Sequence, residues 1–115
     1  MELTPELVRL LVDRLFLPTD RAAALTLLDR YGAAAHEREA LRVRVAALKL
    51  SRGRLPQLER TMAYAQRDYR NVLAWAEYPV ELVEPTWRMP APEVAQIRAA
   101  DRAQYLAWLN AHTQP

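Results

Sequence analysis

Three groups of residues in this chain have types and spacings that could do chemistry. The first is His36-Glu37-Arg38-Glu39, where a His and a Glu three apart on a helix share a face and can ligate a metal together. A zinc protease needs the order His-Glu-x-x-His, and a di-iron bundle needs several Glu and His pairs on separate helices. The other histidine, His112, lies near the C-terminus, so no metal is expected, and Glu37 and Glu39 read as first-turn acids of a helix. Nucleophilic catalysis has little to work with. Ser51 is the sole serine, there is no cysteine, and no glycine-rich phosphate loop occurs. The inventory therefore argues for a protein that is not an enzyme and carries no cofactor.

The second group is Tyr64, Asp68, Asn71 and Trp75, separated by steps of 4, 3 and 4. It runs beside an apolar stripe, Leu58, Met62, Ala65, Tyr69, Val72 and Ala76, whose spacing is that of a packed helix face. The stripe reads as core; the mixed aromatic and polar flank reads as a surface.

The third group is basic. Net charge is only +2, yet residues 36–60 hold seven basic and three acidic side chains, while the parts before and after are each slightly acidic. Fifteen of the sixteen basic residues are Arg. Arg38, Arg42, Arg44, Lys49, Arg52 and Arg54 form a row that could neutralise phosphates. Glu77, Glu81, Glu84 and Asp68 could equally serve as internal partners, and no helix-turn-helix or RNA-recognition signature accompanies the row. Nucleic-acid binding is thus an alternative that is not favoured.

The elements that must position these groups are helices. Twenty Ala and eighteen Leu stand against eight Val and one Ile, and two glycines leave little room for hairpin turns. A chain of 115 residues fits a single helical domain, residues 1–115. Thr4, Pro5 and Glu6 predict a helix start, with the helix stopping at Pro18. Thr19 or Asp20 is expected to cap a second helix ending near Tyr31, and further helices are predicted from Ala35 to Ser51, Pro56 to Glu77, and after Pro92 to Ala111. Tyr78 to Pro90 is too rich in Pro for a helix and reads as an ordered connection. The fold class expected is all-α, four or five helices around an antiparallel hairpin of the third and fourth.

With the hairpin turn near Gly53, Leu50 faces Leu58 and Ala46 faces Met62, which brings Asp68 within reach of Arg38 or Arg42. The same geometry gathers His36, Arg38, Arg42, Tyr64, Asp68, Asn71 and Trp75 into one candidate binding patch, since Trp, Tyr and Arg commonly anchor interfaces.

Residues 31–79 resemble a family of small, uncharacterised bacterial all-helical proteins. The likeness runs through Tyr31-Gly32, His36-Glu37-Arg38-Glu39, Arg42 to Ser51 with Gly53, and Arg67 to Pro79. It implies no activity and no site residue, and Asn71 stands where that pattern is more usually acidic. The functional expectation is a non-enzymatic cytoplasmic interaction or adaptor module that binds a protein partner or itself. Self-association would use Val94, Ile97, Tyr105, Leu106, Trp108 and Leu109 of the last helix. A helical sensor for a small molecule or anion, bound between the third and fourth helices, is the remaining alternative. No membrane segment is expected.

Overall fold

In a computed structural model that describes residues 2–115, the chain is 77% helical, with no strand among the described residues. Thr4 opens α1 (Pro5–Leu15) as an N-cap, its hydroxyl accepting from the Leu7 N–H at 3.1 Å. Pro18 stops α1 and starts a 3-10 turn (Pro18–Asp20) that runs directly into α2 (Arg21–Leu28). Arg21 reaches back to donate to the Phe16 and Asp13 carbonyls, closing the end of α1.

The hairpin consists of α3 (Ala40–Ser51) and α4 (Leu55–Glu77). Its turn requires Gly53: φ is +75°, and a Cβ there would collide with the Leu15 carbonyl oxygen of α1. Against the expectation, α3 begins at Ala40, five residues after Ala35. Glu37 is the cause. Its carboxylate accepts from the Gly32 and Ala34 N–H groups at 3.1 and 3.0 Å, and the Tyr31 hydroxyl donates to the Arg38 carbonyl at 2.7 Å. These bonds hold residues 29–39 as a compact loop, so Glu37 is a loop tie and not a first-turn acid. Arg44 seals the end of α2 from the other side, donating to the Leu28 and Tyr31 carbonyls.

Helix α4 is broken in the middle. Asp68 has φ −154° and ψ 84°, outside the helical region, and Asn71 three residues on donates to its carboxylate at 3.0 Å. Asp68 thus stands where an N-cap would stand for the second half of the helix. The predicted apolar stripe spans the break: Leu58, Met62, Ala65, Val72 and Ala76 are buried, and Tyr69 packs on Tyr31. Together with Val8, Leu11, Val12 and Phe16 of α1 and Val43, Val45, Ala46, Ala47 and Leu48 of α3, they form one core.

The Pro-rich connection holds structure that its composition conceals. Pro79 begins a five-residue helix, α5 (Pro79–Val83), and a 3-10 turn (Thr86–Arg88) follows before α6 (Ala91–Thr113). Asp101 of α6 is 1% exposed and accepts from the Val80 and Glu81 N–H groups, capping α5 from another helix. Of the α6 residues expected to mediate self-association, Leu109 is buried and the others are half-buried in the monomer. Exposed large apolar side chains cluster instead at Val80, Leu82, Val83 and Trp87. No helix among the described residues is long and apolar enough to cross a membrane.

Candidate anion-binding cleft

The basic row divides between two ends of α3. At the N-terminal end, Arg42 makes a bidentate pair with Glu77, Nε at 2.7 Å and Nη2 at 2.5 Å, and a looser contact with Glu39. The Glu77 carboxylate raises the Arg42 guanidinium pKa despite partial burial. Arg44 is held by its two backbone carbonyls and lies 4.0 Å from Asp29. The pairing expected between Asp68 and Arg38 or Arg42 is absent among the described residues. Arg38 lies in the loop before α3, Arg42 is taken by Glu77, and the break in α4 turns Asp68 toward Asn71.

At the C-terminal end, Lys49, Arg52 and Arg54 line an open cleft of about 1130 Å³ together with Arg60, Trp75 and Asp20. Among the described residues none of the four cations forms an ion pair with an acid. Burial and the neighbouring Arg52 charge push the Lys49 ammonium pKa down, against a smaller opposite pull from the Asp101 carboxylate. Helix α4 starts at Leu55 with no side-chain cap, and its first turn lines the cleft, which places the positive end of its dipole beside the cations. Asp20 is the one acidic side chain among the described residues that line it.

Trp75 reaches this cleft because α4 is broken. Residues 64 and 75 would be about 16 Å apart along a straight helix. Here the Tyr64 and Trp75 rings lie 4.9 Å apart, which demands a bend between them. Asn71 donates to the Tyr64 hydroxyl at 3.3 Å, and the Arg67 guanidinium sits 5.5 Å from the centre of the Tyr64 ring. The indole is therefore held from behind by a fixed ring, yet is 39% exposed.

Of the seven residues expected to form one patch, Tyr64, Asp68, Asn71 and Trp75 do converge. His36 and Arg38 stand on the loop before α3, and Arg42 is engaged with Glu77. Sequence reasoning missed Arg60, Asp20 and Asp101. Arg60 had a signal, being one turn into the helix after the basic row; Asp20 and Asp101 reach their places only through tertiary packing.

A second recess of about 400 Å³ surrounds the Arg42–Glu77 pair and includes Arg98, Arg102 and Tyr105. The Tyr105 hydroxyl is buried without a hydrogen-bond partner, and burial pushes its pKa up to about 12. Among the described residues no group of three or more His, Asp or Glu side chains is placed to hold a metal ion. No protein-family model, curated protein or solved structure matches the chain.

Proposed function

We propose that this protein is a non-enzymatic cytoplasmic binding module whose partner presents several negative charges to the cleft between the α3–α4 turn and Trp75. The observation that carries the reading is the convergence of Lys49, Arg52, Arg54 and Arg60 on one open space lined by a single acid, Asp20, with none of the four in an ion pair among the described residues. Like charges gathered this way destabilise the free protein, and a bound anion relieves the repulsion. Internal acids take up Arg42 and Arg44, while among the described residues Arg38, Lys49, Arg52 and Arg54 form no ion pair. The adaptor role proposed is recognition of an acidic or phosphorylated partner.

Thermal unfolding with inorganic polyphosphate tests this. A ligand at about a hundred times its Kd stabilises the folded state by about 2.7 kcal/mol. The melting temperature should therefore rise by several degrees in the native protein and far less in an Arg52→Gln, Arg54→Gln double variant. No rise at low salt, or an equal rise in both, contradicts the reading.

A further inference from the structure

The cleft pairs its cations with an aromatic platform, and that combination narrows the ligand. Trp75 is held against Tyr64 at 4.9 Å, is 39% exposed, and lines the same cleft as Arg52 and Arg54 of the α3–α4 turn. An exposed indole costs water-contacting apolar area, and neither a carboxylate nor a bare phosphate uses it. A base does: every nucleobase has a π-face, and stacking on an aromatic side chain beside a row of cations is how unpaired strands are bound without sequence preference. A duplex keeps its faces stacked internally and could offer the indole nothing.

We propose that the cleft binds single-stranded nucleic acid, with Lys49, Arg52 and Arg54 on successive phosphates and one base stacked on Trp75. The inference rests on the anion-binding reading and adds the platform to it. Asp68 and Asn71 act as positioning residues, because the break they stabilise is what returns Trp75 to the cleft.

The experiment is a fluorescence-anisotropy titration with four labelled probes: oligo(dT), an abasic strand and a duplex, each of about 12 nucleotides, and a phosphoserine peptide. Oligo(dT) should bind about tenfold tighter than the abasic strand and tighter than the duplex. Trp75→Ala should erase the difference between the first two, and Trp75→Phe should restore most of it, with circular dichroism confirming that both variants fold. Three phosphate contacts predict a slope of log K against log salt of about −2. Equal affinity for oligo(dT) and the abasic strand, or indifference to Trp75, overturns the stacking proposal and leaves the anion cleft standing. A phosphoserine peptide binding tighter than oligo(dT) overturns it as well. Failure of every probe, polyphosphate included, overturns both.

Discussion

The two ends of α3 carry the same kind of charge and put it to different uses. At the N-terminal end Arg42 and Arg44 are consumed internally, one by the Glu77 carboxylate and the other by the carbonyls that close α2. At the C-terminal end Lys49, Arg52 and Arg54 face an open cleft whose lining includes Asp20, and among the described residues none of the three forms an ion pair. Helical spacing cannot tell the two ends apart, since what separates them is whether a distant segment supplies an acceptor. A basic row is therefore a statement about composition until its partners are known.

The largest effect expected on the tied end is Arg44→Ala. Its half-buried guanidinium makes the bonds that hold the end of α2 against α3, and their loss should cost about 2–3 kcal/mol in urea unfolding. A cost below half of that would show that the loop from residue 29 to 39 closes without it. Glu77→Gln comes next. It weakens a pair whose arginine is 41% exposed on its side chain, so solvent screening limits the loss to about 1 kcal/mol.

Tyr105, in the recess beside that pair, gives a smaller effect of opposite sign. Its hydroxyl is buried and unpartnered, so Tyr105→Phe should be neutral or stabilising by up to about 1 kcal/mol. Burial favours the neutral phenol. Below its ordinary value of 10.0 the phenol is neutral whether the chain is folded or unfolded, and stability is lost as pH rises from there through about 12, where the unfolded chain ionises first. Absorbance titration of the native protein should show a phenol ionising near that upper value, and the Phe variant should lack it.

Much of this arrangement was legible beforehand. The Thr4 cap, the apolar stripe of α4 and the α3–α4 hairpin follow from local capping and periodicity, which depend on near neighbours. The break at Asp68 was not legible, because the stripe keeps its 4 and 3 spacing across it and gives no sign of a bend. The one local hint is Asp68 followed by Asn71, a polar pair at cap spacing inside a helix. The late start of α3 was hidden for a related reason: Glu37 suits a helix as well as it suits the loop, and its choice is made by the Gly32 and Ala34 N–H groups. Half of the candidate site was visible as the Tyr64 to Trp75 flank. Its basic wall was visible too, but only the bend in α4 brings the two together.

The most direct test of the contrast is one paired measurement: melting temperature and polyphosphate-induced shift for Arg42→Gln and for the Arg52→Gln, Arg54→Gln double variant. The first should melt a few degrees lower, about 1 kcal/mol, and keep the full ligand-induced shift. The second should melt within about 0.5 kcal/mol of the native protein and lose most of the shift. If Arg42→Gln abolishes the shift while the double variant retains it, the charges at the two ends of α3 have been assigned the wrong way round.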